Sequence, residues 1–248
     1  MSEIVTLLSV FLISTLASIF GTIIGGGTIF SIPFLIMIGI PPQIAIATER
    51  FGGLGQSIAS FLKFLKSEKI IWKYIIFFIF ISLISSLIGS TILINTDSEA
   101  MNKIIGLTVL IILPLLFFKK DLGTKHIIVS KNKIIIGSIL YFFIQILAAF
   151  YGGGTGILTS YTLMFCFGLT VIESKATKTI PWLFLSISSV IIFAIKGIIN
   201  YKLGFIMLIG MAIGGYLGTY IMLKKGETWV KRLFLLFAII SIIQLFLK

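Results

Sequence analysis

The sequence predicts an all-α polytopic membrane protein made of two homologous repeats of about four hydrophobic helices each, or about eight transmembrane helices in total. Composition is the first reason. Of the 248 residues, 58% are hydrophobic and only 11% are charged, and the mean hydropathy is +1.18. In a soluble domain about a quarter of the residues are charged. The chain has too few polar side chains to coat a water-soluble surface, so we expect a lipid bilayer to surround it.

An internal duplication is the second reason. A motif of three glycines and a threonine occurs first as Gly25, Gly26, Gly27 and Thr28, and again 127 positions later as Gly152, Gly153, Gly154 and Thr155. Further on, the match continues at an offset of 129, which aligns Thr48 with Thr177. Solenoid and propeller units are only about 20–50 residues long. The duplication therefore divides the chain into a first transmembrane repeat (1–118), a basic connector (119–133) and a second transmembrane repeat (134–248).

Apolar stretches follow one another in the same order in both repeats. A helix needs about 20 apolar residues to cross the hydrocarbon core. The candidates for spans are residues 4–24, 70–94, 104–118, 134–150, 203–223 and 230–247. Residues 44–62 and 172–195 are similar in length but carry charges, and residues 29–40 and 157–169, which follow the glycine motifs, are too short to span.

The net charge of +12 is explained by topology, and no nucleic-acid partner is needed to account for it. Lysines and arginines concentrate in the loops at residues 63–73, 119–133 and 224–232, as the positive-inside rule requires of cytoplasmic loops. We expect a multi-pass protein of the cell membrane, in a prokaryote the plasma membrane. Loop charges fit parallel and inverted repeats almost equally well. The short segments favour inverted repeats, since broken helices at a repeat interface are common in transporters.

The two glycine motifs predict a site for an anion. Three consecutive glycines are costly inside a helix, and non-helical backbone at membrane depth is tolerated only inside protein or beside a water-filled cavity. Helices that restart at Thr28 and Thr155 would present backbone N–H groups and a positive dipole end to an anion. The alternative is that both threonines only cap their helices and that the glycines allow close helix packing.

Charged residues inside the apolar stretches form a second candidate group. The offset of 129 places Lys178 opposite Glu49, and we expect these two to form a charge pair that leaves Arg50 to hold an oxyanion. The alternative is that all three lie near the membrane surface, where such side chains are solvated. For Glu173 and Lys175 we favour that solvated interpretation.

The glycine motif, the following Ile32-Pro33, the run Gly39-Ile40-Pro41-Pro42 and the run from Ala45 to Thr48 resemble the signature of the TauE/SafE family of membrane permeases. The resemblance extends over nearly the whole chain and includes a degenerate copy at residues 152–177. It implies transport of a sulfur-containing oxyanion such as sulfite or a sulfonate, and it adds Thr48 and Thr177 to the candidate substrate-binding residues.

A secondary transporter for a small anion is therefore the predicted function. An anion channel and a structural membrane protein without transport activity are the alternatives. We expect no enzymatic activity, because the single histidine lies in a loop and the spans contain no aspartate and no metal-ligand spacing. No metal or cofactor is expected, and a coupling cation is one option for driving uptake.

Overall fold

The computed structural model describes residues 3–97, 123 and 125–246, and all regular structure in those residues is helical. The helices are α1 (Glu3–Ile23), α2 (Thr28–Met37), α3 (Pro42–Leu65), α4 (Ile75–Asn95), α5 (Lys131–Phe150), α6 (Thr155–Phe167), α7 (Val171–Ile195) and α8 (Tyr201–Phe246). A single 3₁₀ turn, Trp72–Tyr74, precedes α4. The predicted span 104–118 and the beginning of the basic connector lie outside the described residues.

The lengths of the helices fit a protein that crosses a membrane several times. Within the described residues, five helical segments are long and apolar enough to span a bilayer: Glu3–Ile23, Trp72–Asn95, Lys131–Phe150, Val171–Ile195 and Tyr201–Val230. The helices α2 and α6 are apolar but have 10 and 13 residues, so at 1.5 Å per residue they reach about 15–20 Å. The prediction of a polytopic all-α membrane protein is thus confirmed.

Local signals in the sequence set several helix ends. Pro42 occupies the first turn of α3, where its missing N–H costs nothing. Thr170 and Glu173 form a reciprocal capping box at the start of α7, which satisfies two backbone N–H groups. Gly168 ends α6 with a φ of 73°, and Gly226 interrupts α8 with a φ of 79°.

Packing contacts give the helix directions. On α8, Gly210 packs against Ser14 of α1. Two turns later Gly218 packs against Thr22, so α1 and α8 run in the same direction. In the same way Gly52 of α3 packs against Met207 of α8, and the backbone of Gln56 then packs against Gly215. The helices α1, α3 and α8 therefore form one parallel group.

The helices α4, α5 and α7 run in the opposite direction. Gln43, at the start of α3, donates to the carbonyl oxygen of Thr96, just past the end of α4 (2.9 Å), so these two helices are antiparallel. Ser85 of α4 donates to the carbonyl of Phe142 on α5 (3.1 Å), and Gly89 packs against Ile146 four residues further along both helices. The helices α4 and α5 are therefore parallel.

Two reciprocal hydrogen bonds fix α7 antiparallel to α3. The hydroxyl oxygen of Thr48, near the start of α3, accepts from the backbone N–H of Asn200, beyond the end of α7 (3.0 Å). The hydroxyl oxygen of Thr177, near the start of α7, accepts from the backbone N–H of Ile71, beyond the end of α3 (3.0 Å). Each helix thus starts beside the segment that follows the other.

The short helices fold back along the helices that precede them. At the start of α2, Gly27 lies against the backbone of Ala17 and Gly21. The rings of Phe20 and Phe30 follow, 6.3 Å apart. In the second hairpin, Gly137 near the start of α5 packs against Cys166 near the end of α6. Each glycine motif therefore forms the tip of a helical hairpin.

Candidate functional site

The tips of the two hairpins meet inside the protein. The hydroxyl of Thr28 donates to the carbonyl oxygen of Gly152 (3.1 Å). The backbone of Gly25 lies so close to Gly156 that a Cβ atom on Gly25 would be 2.8 Å from the Gly156 carbonyl carbon. Gly25 and Gly152 have φ values of +103° and +85°, a region that favours glycine. Here the glycines allow both the positive φ values and the close approach of the two hairpin tips.

A cavity of about 80 Å³ lies beside the joined tips, between α3 and α7. One water needs about 10–15 Å³ on this measure, so the space suits a handful of heavy atoms, the size of a small oxyanion. Predicted site residues that line it are Gly25, Gly27, Thr28, Glu49, Arg50, Gly152 and Lys178. Other lining residues include Gln56, Ser57, Ser60, Lys175, Thr179, Trp182 and Ser186.

The remaining glycine-motif residues shape the tips without lining this cavity. Gly26 faces the side chains of Ile29 and Ile157, and the space beside Gly153 is filled by the ring of Tyr151. Gly154 takes a left-handed conformation with a φ of 74° before α6. The hydroxyl of Thr155 donates to the carbonyl of Gly152 (2.8 Å). That oxygen therefore accepts from the hydroxyls of both motif threonines.

Thr48 and Thr177 are also outside the cavity lining. Their hydroxyl oxygens accept from backbone N–H groups of the segments after α7 and α3. They fix the relative position of α3 and α7, the two helices whose side chains line the cavity. The structure gives them a positioning role, and their contact with substrate stays a prediction.

Arg50 lies in the cavity wall, and it is 2% exposed. Its Nη2 donates to the carbonyl oxygen of Ala148 on α5, and its Cζ lies 5.6 Å from the ring centroid of Trp182. Its Nε is buried and has no hydrogen-bond partner. A buried N–H donor without an acceptor is costly, so this edge of the guanidinium is ready to bind an anionic oxygen.

Two lysines of α7 complete the basic wall. The Nζ of Lys178 donates to the carbonyl of Gly156 (2.8 Å) and lies 5.9 Å from the centroid of Trp182. The Nζ of Lys175 donates to the carbonyl of Ile24 (2.6 Å), and the residue is 2% exposed. The expectation that Lys175 is solvated is wrong. Lys175 lies three residues before Lys178 and seven before Trp182, so all three share one helical face. This spacing is the sequence signal that could have identified Lys175 and Trp182 as site residues.

The predicted pair between Glu49 and Lys178 does not form in this structure. Lys178 is turned to the tip of the second hairpin, where the carbonyl of Gly156 is its hydrogen-bond partner. Glu49 is 4% exposed and interacts electrostatically with its neighbour Arg50. Both side chains still line the same cavity. The offset thus placed them at one site but did not determine their partners.

Glu173, the other residue expected to be solvated, caps α7. Its carboxylate accepts from the backbone N–H of Thr170 (2.8 Å) and lies 2.9 Å from Nδ1 of His126. The carboxylate of Glu227 binds the same helix end, through the hydroxyl of Thr170 (2.6 Å) and the N–H of Ile172 (2.8 Å). These contacts hold the end of α7 nearest to Lys175.

The cavity wall carries three basic side chains, Arg50, Lys175 and Lys178, and one acidic side chain, Glu49. Buried charges are costly unless they are compensated. A bound anion would compensate the excess of basic groups. The arrangement therefore favours an anion over a cation or a neutral solute in this cavity.

Comparison with known proteins agrees with a membrane transporter. A family model described as "Sulfite exporter TauE/SafE" matches residues 10–245. A "Probable membrane transporter protein" of Haemophilus influenzae is 25% identical over 221 residues, which cover 89% of this chain and 87% of that protein. A similarly named protein of Escherichia coli strain K12 is 21% identical over 89% of this chain and 82% of its own length. One from Sinorhizobium sp. is 21% identical over 95% and 90%. No solved structure matches significantly.

Proposed function

The chain belongs to the sulfite exporter TauE/SafE family, and from this premise we propose that it is a secondary transporter of a small anion, a sulfur-containing oxyanion such as sulfite or a sulfonate. Family membership and the relatives establish a membrane transporter. The cavity supports an anion, and the family description suggests a sulfur-containing oxyanion. We also propose that the protein resides in the cell membrane and performs no chemistry on its substrate.

The observation that carries the proposal is the unpaired Nε of Arg50 in a buried, predominantly basic cavity. A guanidinium binds two oxygens of an oxyanion with parallel N–H groups. Since Nη2 is already held by the carbonyl of Ala148, the fork is fixed in direction before the anion arrives. Trp182 supports the face of the guanidinium.

The lysines suggest how binding is coupled to movement. Each ammonium group holds a carbonyl at the hairpin tips, Lys175 at Ile24 and Lys178 at Gly156. An anion in the cavity competes for these donors, because a charged acceptor forms stronger hydrogen bonds than a carbonyl does. Substrate would weaken the attachment of α7 to both tips and permit the two halves to move relative to each other.

We further propose that the chain consists of two inverted repeats, residues 1–118 and 134–248 joined by the connector 119–133, with about eight spans in total. The reciprocal bonds from Asn200 to Thr48 and from Ile71 to Thr177 support it. The offset of 129 relates Thr48 to Thr177 and Ile71 to Asn200, so each bond has the other as its equivalent. Helix directions give further support. The pairs that the offset relates, α3 with α7 and α4 with α8, are antiparallel.

The distribution of basic residues supports an orientation for this arrangement. At one end of the bundle lie Lys63, Lys66, Lys69, Lys73, Lys125, Lys131, Lys133, Lys224, Lys225 and Arg232, and at the other only Lys196 and Lys202 among the described residues. The first end is the proposed cytoplasmic end. In a Cys166→Ser background, a Ser67→Cys variant should react with an impermeant thiol reagent only from the inside and Lys196→Cys only from the outside. Labelling of both from one side would refute the inverted repeat.

The transport proposal is tested by flux of radioactive sulfite into proteoliposomes under imposed membrane potentials. We expect saturable sulfite flux that an Arg50→Gln variant loses. The variant must also lose the rise in unfolding temperature that sulfite gives the unaltered protein. Absence of both flux and stabilisation with sulfite, sulfate and a sulfonate would refute the proposal of a sulfur oxyanion substrate.

A further inference from the structure

A second polar cluster lies within the bundle, between α4 and α5. Its residues, Ser82, Ser86, Tyr141 and Gln145, are all fully buried. Neither serine Oγ, nor the Tyr141 hydroxyl, nor either polar atom of Gln145 forms a hydrogen bond of ordinary geometry. The phenol of Tyr141 faces both Ser82 and Gln145. Buried polar groups are nearly always paired, so five unpaired atoms in one place require an explanation.

Helix packing does not require these side chains, as the equivalent contact between α1 and α8 shows. Offsets of 129 and 127 relate Ser82, Ser86, Tyr141 and Gln145 to Met211, Gly215, Ser14 and Ser18. There the two serines are satisfied by backbone, Ser14 by the carbonyl of Phe11 (3.0 Å) and Ser18 by that of Met211 (2.7 Å). The equivalent contact is thus made with small and apolar residues. The polar groups of the second cluster serve another purpose.

We propose that Ser82, Ser86, Tyr141 and Gln145 form a binding site for a sodium ion. Hydroxyl and amide oxygens are hard, neutral ligands. Such oxygens suit alkali and alkaline-earth cations better than they suit transition metals. A calcium or magnesium site would call for carboxylates, and the cluster contains none. It also contains no carboxyl or imidazole group to carry a proton.

The sodium site is next to the anion cavity. The hydroxyl of Ser186 is likewise buried and unpaired and lines that cavity. One turn later on α7, Ser189 accepts from Ser90 of α4 (2.9 Å). On α5, Gln145 lies one turn before Ala148, whose carbonyl holds Arg50. The two sites therefore share α5 and α7.

This adjacency gives the ion a role that rests on the proposed transport of an anion. Sodium and the Arg50 guanidinium repel each other when the cavity is empty, whereas a bound anion attracts both. Each ligand should then raise the affinity for the other by the same factor. The sodium ion would be the coupling cation.

The site itself is tested without any anion. Unfolding temperature is measured in detergent while NaCl replaces choline chloride at constant ionic strength. We expect sodium to raise the unfolding temperature of the unaltered protein in a saturable manner. In Gln145→Leu and Ser86→Ala variants the half-saturating concentration should increase about tenfold, the effect expected from the loss of one ligand group. Ser18→Ala, at the position equivalent to Gln145, is the matched control and should respond like the unaltered protein.

Equal unfolding temperatures in NaCl and choline chloride would overturn the proposal, and so would an unchanged sodium response in both variants. Should Gln145→Leu not fold, binding of radioactive sodium to the unaltered protein and to Ser82→Ala, which removes only a hydroxyl, decides the question. A sodium response without any sulfite response would refute the anion transporter but leave the site. A sulfite response without a sodium response would refute the sodium site but leave the anion transporter.

Discussion

Replacing Gly25 by alanine tests whether the contact between the two hairpin tips holds the protein together. The residue has a φ of +103°, which an L-amino acid rarely adopts. A Cβ atom would lie 2.8 and 2.9 Å from the carbonyl carbon and oxygen of Gly156 and 2.7 Å from Nζ of Lys175. The two Gly156 atoms belong to the backbone, so they cannot move aside as the end of a flexible side chain could. Either the tips separate or the backbone is strained.

The cost can be worked out from these two effects. An unfavourable φ for a residue with a Cβ costs about 1–3 kcal/mol, and crowding in a packed interior adds about 1–3 kcal/mol. The total of about 2–6 kcal/mol is a large part of the 5–15 kcal/mol that typically separates folded from unfolded protein. The new methyl group also displaces the ammonium of Lys175 and should weaken sulfite binding.

Gly26→Ala is the matched control, one residue along the same motif. A Cβ atom there would meet only the terminal methyl groups of Ile29 and Ile157, at 3.2 and 3.4 Å. We expect a change within about 1 kcal/mol, of either sign. Thermal unfolding in detergent and sulfite flux in proteoliposomes are measured for both variants. If Gly25→Ala unfolds at the same temperature as Gly26→Ala and transports equally well, the reasoning from contact between the tips is refuted.

Three further predictions concern the cavity and its frame. Arg50→Lys should fold but bind sulfite about tenfold more weakly, because the planar fork of the guanidinium is lost. Calorimetric titration measures this affinity, and an unchanged value would remove Arg50 from the site. Glu49→Gln and Lys178→Met should be additive in unfolding free energy within about 0.5 kcal/mol, since the two side chains are not paired. A double variant more stable than the sum of the two single effects predicts would restore the pair. Thr48→Val and Thr177→Val should each cost about 1–2 kcal/mol, because each leaves one N–H without its acceptor; unequal costs in denaturant titrations would argue against equivalent roles.

Hydrophobic length and the glycine motifs were sufficient to predict the class of fold and the short helices. Both signals are local: a span needs a minimum number of apolar residues, and consecutive glycines end a helix. The prediction that both motifs contribute to one cavity rested on their repetition. In the structure Gly25, Gly27, Thr28 and Gly152 line that cavity.

The partners of individual side chains could not be predicted in this way. The offset aligns Glu49 with Lys178, but it contains no information about the carbonyl of Gly156, which is where the ammonium binds. Lys175 looked like a residue of the membrane surface because it follows Gly168 closely. Its burial depends on the return of α7 past the first hairpin, a tertiary contact to Ile24. Such contacts depend on how the hairpins dock, and the order of residues along the chain does not specify that.

The proposed repeat explains why one cavity can be built symmetrically and still bind one ion in one orientation. Residues 49, 50, 53 and 57 of α3 line it together with their equivalents 178, 179, 182 and 186 of α7. On that proposal, a pseudo-twofold axis passes close to the site. Three of these four pairs differ in chemistry, as glutamate with lysine, arginine with threonine, and glycine with tryptophan.

The basic excess of the cavity therefore arises where the two repeats diverge. A symmetric pair of arginines would bury two like charges near the axis, which is costly before substrate binds. A single guanidinium at position 50, with the aromatic ring of position 182 against its face, avoids that cost. It also gives the anion one direction of approach. On the proposed repeat, the shared α3 and α7 positions form the frame, and the differences between paired residues give the cavity its basic excess.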